Sequence, residues 1–201
     1  GKRDTDVQAL DLWTKSNDRN YDIVLYYYKE KPPKNCRDYC IYRKDTKLKN
    51  FYHFMANHDI SNYDGIWIVD DDIKMETKKI NKIFNIFKKY NLDLAQPSYT
   101  ENSVISHPIT KIDRTCKLRF CNFVEIGAVI WSQKMIHKFK DLFKNTNSTC
   151  GIDFIACKQA DNGKNIALID ETPCLHGYIK SSLDNVMPRK DQWKEGEELY
   201  K

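Results

Sequence analysis

The stretch Gly65-Ile66-Trp67-Ile68-Val69-Asp70-Asp71-Asp72 constrains this chain more than any other. A short unbroken apolar run reads as a strand buried on both faces, and this one runs straight into three carboxylates. Adjacent acids repel one another and call for a compensating charge. A hard divalent cation, Mn²⁺ or Mg²⁺, is the simplest, because it prefers carboxylate oxygens. In open α/β sheets ligands bind beyond the carboxyl ends of the strands, where Asp70 to Asp72 fall. Residues i and i+2 of an extended chain point the same way, so Asp70 and Asp72 are expected to share the cation. Asp71 then turns elsewhere, towards a ribose hydroxyl or the backbone.

The rest of the chain alternates between helical and extended patterns. Helices are expected at 4–18, 48–57, 77–90, 132–143 and 151–161, and strands at 22–28, 65–69, 93–96, 123–131 and 165–169. The clearest helix is 77–90, with Ile80, Ile83, Phe84 and Phe87 on one face and lysines on the other. Ser132 is placed to cap the helix that follows it. Residues 35–44 hold a short strand or turn around Tyr39 to Tyr42, Pro97 closes the strand at 93–96, and 98–120 is polar and irregular. This order implies an α/β domain with a mostly parallel central sheet flanked by helices. The domain is expected to span 1–180, with 181–201 a tail or a linker to a further domain. Because a helix precedes the first strand, an upstream strand is expected to be missing from this stretch of sequence.

With 201 residues, 41% hydrophobic and 30% charged, the chain can build one domain with a real core. No apolar run reaches the ~20 residues of a membrane helix, and no signal peptide is visible, so a cytoplasmic location without stable membrane insertion is expected. The net charge of +5 is spread along the sequence, which argues against a nucleic-acid partner and suits a phosphate-bearing small ligand. No GxGxxG or GxxxxGK[ST] loop is present, which argues against a dinucleotide Rossmann domain or a P-loop enzyme. The seven cysteines, at 36, 40, 116, 121, 150, 157 and 174, form no zinc pattern and are expected to be reduced.

Several further residues could carry chemistry. His176 follows a late strand beside Gly177, which would let a ligand approach, and could complete a metal shell; Lys180 could neutralise a phosphate. Asp153 begins a helical run, where the free N–H groups and the dipole would keep it ionised as a general base. Glu125, an acid inside an apolar run, must have a partner or a task, either bonding sugar hydroxyls or serving as the base. Tyr28 ends the first strand, with Tyr26 and Tyr27, where one ring could stack on a nucleobase. Lys111, Arg114, Lys117 and Arg119 could meet a phosphate or an acceptor. Each also has an ordinary reading: a strand-end histidine, a helix cap, a salt bridge, core packing or a solvated loop.

The segments YDGIWIVDDD at 63–72, FVEIGAVIWS at 123–132, GIDFIA at 151–156 and ALIDETPCLHG at 167–177 together resemble the GT-A family of nucleotide-sugar glycosyltransferases. The resemblance covers about residues 20–180 and extends to the glycosyltransferase domains encoded by large chlorella viruses, which would place the protein in the host cytoplasm. It implies a UDP-sugar donor, a glycan or glycoprotein acceptor and Mn²⁺ or Mg²⁺ as cofactor. Asp72 matches the principal metal-binding acid, Asp70 the acid near the ribose that also reaches the metal, and His176 the late metal-binding histidine. Asp153 matches the carboxylate that deprotonates the acceptor in inverting members, whereas the His176-Gly177…Lys180 arrangement resembles retaining groups.

Two other functions fit the same acids. A metal-dependent nucleotidyltransferase or phosphohydrolase would also cluster carboxylates around a cation, releasing pyrophosphate or phosphate without a sugar acceptor. A non-catalytic nucleotide- or glycan-binding module would bind without turnover and tolerate Asp153→Asn.

Overall fold

The computed structural model describes residues 4–28, 30–34, 36, 39–160, 165–177 and 189–200. In chain order the elements are α1 (Asp4–Trp13), β1 (Val24–Tyr27), β2 (Tyr39–Tyr42), α2 (Lys47–Asn57), β3 (Ile66–Val69), β4 (Ile73–Lys74), α3 (Thr77–Lys89), β5 (Leu94–Tyr99), β6 (Arg119–Phe120), β7 (Ala128–Trp131), α4 (Gln133–Asn145), α5 (Ile152–Gln159), β8 (Ile166–His176) and α6 (Arg189–Tyr200). A short 3₁₀ turn covers Pro108–Thr110.

The central strands are apolar on both sides. Leu94, Val129, Trp131, Ile166 and Leu168 enter one core, and Ala95, Ala128, Ile130, Ala167 and Ile169 enter the other. Such strands must be covered on both faces. Ala9 and Trp13 of α1 and Ile80, Ile83 and Phe87 of α3 cover one face. Leu48 and Phe51 of α2, Met135, Ile136, Phe139 and Phe143 of α4, and Ile152 and Ile155 of α5 cover the other. The Ser132 hydroxyl accepts the Met135 N–H at 3.2 Å and caps α4 as its sequence predicts.

The fold is α/β, with a six-stranded sheet in the order β3-β7-β5-β8-β4 and β6 also paired to β8. The expectation of a mostly parallel sheet is corrected: the sheet is mixed. Only β5 and β8 pair in parallel, while β7 runs antiparallel to both β3 and β5, and β4 and β6 run antiparallel to β8. No α-helix separates β5 from β7, and without a crossover helix the returning strand reverses direction. β1 and β2 form a separate parallel pair.

This reversal builds a single functional rim. β3, β5 and β8 run the same way, so their carboxyl ends share one edge with the amino end of β7. Two strands also run longer than their sequences suggest. β5 passes through Pro97 to Tyr99, and its pairing shifts from Pro97–Ile169 to Tyr99–Cys174. That irregularity accommodates a proline with no N–H to give. β8 continues past Ile169 to His176, with Thr172 and Cys174 buried between outward Glu171 and Pro173. Conversely, Phe123 to Gly127 is a loop rather than the start of β7.

Cys36 and Cys40 are brought side by side, with Cα atoms 6.4 Å apart, close enough to pair; Cys116, Cys121, Cys150, Cys157 and Cys174 are free. The segment read as a tail or linker contains α6, which docks on the amino end of α5. Gly151 there takes φ of 80°, and a Cβ on Gly196 would lie 2.6 Å from the Cys150 carbonyl oxygen. Among the described residues no helix is long and apolar enough to cross a membrane.

Candidate functional site

The three acids at the end of β3 do not continue the strand. The Ile73 N–H donates to the Asp70 carbonyl at 3.3 Å and closes a turn. The i/i+2 argument therefore fails, and Asp70 and Asp72 take different partners. Asp70 is held by Lys47, whose Nζ lies 2.6 Å from Asp70 Oδ1 and also donates to the Ile126 carbonyl at 3.2 Å. The Asp70 N–H donates to the Gly127 carbonyl at 2.9 Å, and a Cβ on Gly127 would press to 3.2 Å from Asp70 Oδ2. Asp71 stands exposed in the same turn.

Asp72 faces the other way, towards β8. Ile73 of β4 pairs with His176, and the Gly177 N–H donates to the Asp72 carbonyl at 3.2 Å. This pairing sets His176 Nε2 3.6 Å from Asp72 Oδ2. The other ring nitrogen, Nδ1, lies 2.9 Å from the Val104 carbonyl. A carbonyl can only accept, so Nδ1 carries a proton, and Nε2 is the ring nitrogen that faces Asp72. Asp72 is 7% exposed, and its Oδ1 has no hydrogen-bond partner. Burial raises its pKa, the His176 charge lowers it and the Asp70 charge raises it again. A Cβ on Gly177 would meet only ordinary contacts, so close approach is not what glycine provides there.

Glu125 and Asp153 join the same rim. The Glu125 N–H donates to Gln96 Oε1 at 2.6 Å, while Glu125 Oε2 is buried without a partner. Asp153, in the first turn of α5, accepts the Phe154 N–H at 2.9 Å. Its helix-end position was expected to keep it readily ionised, yet burial outweighs the N–H groups of Phe154 and Ile126 and raises its pKa. Burial also raises that of Glu125, with the charges of His176 and His107 opposing. Glu125 thus lies within electrostatic reach of Asp70, Asp153, His107 and His176.

Four participants carry no signal in the sequence. Tyr99, at the end of β5, is fully buried with an unpartnered hydroxyl, and its ring lies 4.7 Å from that of His176. Burial raises its pKa well above the usual tyrosine value, and the charges of Glu125, Asp70 and Asp72 add to the rise. Gln96, His107 and Lys47 are the others. A lysine opening a helix 23 residues before its acid looks like any surface lysine.

Other candidates lie elsewhere. Arg119 is spent on Asp170, with Nε–Oδ2 at 2.8 Å and Nη2–Oδ1 at 3.0 Å, and Arg114 pairs with Glu101 at 2.8 Å. Neither faces the rim acids. Tyr28 sits half-buried in the bend after β1. Lys180 lies outside the described residues.

The residues fit a divalent cation only in part. Among the described residues no three His, Cys, Asp or Glu side chains converge to hold a metal by themselves. The Asp72 carboxylate, with Oδ1 unpartnered and Oδ2 3.6 Å from His176 Nε2, could offer at most two ligands, a half-shell. Mg²⁺-type ions are commonly held by one or two carboxylates, with substrate phosphates and water completing the sphere, and Asp72 is such a carboxylate, with one oxygen unpartnered.

The molecule is thus a mixed-sheet α/β protein with a carboxylate- and histidine-lined site on one sheet rim. The chain belongs to the family described as "Protein of unknown function (DUF707)", whose profile matches residues 7–123. A comparison with curated proteins finds no match.

Proposed function

We propose that the protein is a metal-dependent glycosyltransferase of the GT-A kind, moving a sugar from a UDP-sugar to a hydroxyl of a glycan or glycoprotein acceptor. The observation that carries this reading is the Asp72–His176 pair at 3.6 Å, with one Asp72 oxygen unpartnered and with Glu125 within electrostatic reach of both His176 and Asp153. Two roles need two such places. Asp72 and His176 would hold Mn²⁺ or Mg²⁺, which supplies Lewis-acid stabilisation of the departing diphosphate. Asp70, with its Lys47 partner, would lie beside the ribose and the phosphates, Asp71 would meet the nucleoside, and Lys180 a phosphate.

Asp153 would take the acceptor proton, with Glu125 as the alternative base. The acceptor oxygen then bonds to the anomeric carbon as its bond to the diphosphate breaks, and UDP leaves. Burial raises the pKa of both carboxyls, which strengthens them as bases above that pKa.

The test is titration calorimetry with UDP and UDP-sugars, with and without Mn²⁺, on the protein and Asp72→Ala. Metal-dependent binding that disappears in the variant is the expected result. A folded protein that binds no uridine nucleotide would refute the reading. Release of phosphate or pyrophosphate without a sugar acceptor would move the assignment to a phosphohydrolase or nucleotidyltransferase.

A further inference from the structure

Phe154, the residue after Asp153, remains 42% exposed although its neighbours Ile152, Asp153, Ile155 and Ala156 are buried. Its ring centre lies 5.0 Å from that of Phe123 and 6.1 Å from the His107 imidazole, and His107 and Phe123 stand 4.6 Å apart. Three distant stretches of chain thus meet in one aromatic cluster whose exposed member is Phe154: the residue before the 3₁₀ turn, the loop before β7 and the first turn of α5. Core packing accounts for Phe123, which joins the cluster under α2 and α4. It does not account for Phe154. The acids border the surface, since His107 acts electrostatically on both Glu125 and Asp153.

An aromatic face with carboxylates at its edge complements one common ligand shape. A pyranose ring has an apolar C–H face and a hydroxyl-bearing rim. Large rigid rings give contact area at low entropic cost, and carboxylates accept hydroxyl protons. A nucleotide fits less well, because Asp153 and Glu125 would repel its phosphates, and the described lysine of the site, Lys47, is bound to Asp70.

We propose that His107, Phe123 and Phe154 form a carbohydrate subsite that seats a pyranose ring of the acceptor on Phe154, with its hydroxyls turned to Asp153 and Glu125. The subsite rests on the glycosyltransferase reading and adds to it the class of acceptor: a pyranosidic glycan, engaged through its C–H face.

Saturation-transfer NMR on the full chain tests this, with a panel of α- and β-linked disaccharides as probes and UDP with Mg²⁺ as a separate reporter. Saturation of ring C–H protons in at least one disaccharide is expected. Phe154→Ala should weaken that signal about tenfold, ~1.4 kcal/mol, Phe154→Trp should keep it, and neither should alter the UDP signal. No saturation of any sugar ring, or equal saturation in Phe154→Ala, overturns the proposal. A concentration-dependent dimer that Phe154→Ala dissolves would also overturn it, by assigning the surface to a second copy of the chain. Phe154-dependent sugar binding without UDP binding would keep the subsite and remove the UDP-sugar donor, so the two failures are separable.

Discussion

Lys47 Nζ stands 2.6 Å from Asp70 Oδ1 and ties the first residue of α2 to the end of β3. The lysine is one-fifth exposed, and its charge is also felt by Asp72. It neutralises Asp70 while leaving Asp72 available.

Replacing Lys47 with methionine keeps much of the stem and removes the charge. UDP affinity in the presence of Mn²⁺ should fall about tenfold, ~1.4 kcal/mol, while Mn²⁺ alone should bind more tightly as Asp70 is released. Calorimetry reads both, and an unchanged UDP affinity would place the Lys47–Asp70 pair away from the nucleotide.

His176 should hold its proton on Nδ1, given the Val104 carbonyl 2.9 Å away. Nitrogen-detected NMR of ¹⁵N-histidine-labelled protein at about pH 8 should show that tautomer, with the Nε2 resonance shifting on addition of Mg²⁺ and UDP. The opposite tautomer would turn the lone pair away from Asp72 and undo the half-shell.

The buried carboxyls predict a trade between stability and activity. A carboxyl whose pKa is raised by folding favours the folded state at low pH, and that contribution is lost as pH climbs through the folded value. Asp72, Glu125 and Asp153 all shift in that direction. Asp153→Asn should therefore raise Tm at about pH 8 by a few degrees, about 1 kcal/mol, with the gain shrinking as pH falls towards 4. Its sugar-transfer rate should fall about 10²–10⁴-fold. Thermal melts across pH and a UDP-release assay check the two halves independently.

Arg119→Ala should be costly for stability and indirect for function. Asp170 has no exposed side-chain surface and is held by the Arg119 fork and by the Asp113 N–H at 2.8 Å. Removing one partner of a buried pair strands the other charge, a loss of about 3–5 kcal/mol. Urea unfolding measures it. A loss under about 1 kcal/mol would mean that water reaches Asp170.

The sequence carries the elements better than their connections. Periodicity locates α3 and α4, and the apolar run before the acids marks β3, because helix and strand periods are local. The direction of β7 depends on the absence of a helix in the long stretch before it, which composition alone expresses poorly. Asp170 to Pro173 lies beyond the expected strand end at 169, yet alternation continues through it and carries β8 to His176. At the site, the acids are legible because unpaired charge beside an apolar run is anomalous. Lys47, Gln96 and Tyr99 are not, since each is an ordinary residue whose role comes from tertiary proximity.

The hydrogen bond from the Asp70 N–H to the Gly127 carbonyl continues the ladder in which Val69 faces Ala128 and Ile66 faces Trp131. A slip of one residue would turn Trp131 out of its core and move Gly127 away from the acid. Side-chain packing deep in the sheet and the address of the first carboxylate are therefore one degree of freedom. A chain that has settled into the wrong pairing has no partially working site to offer, and binding at this rim would serve as a readout of correct folding.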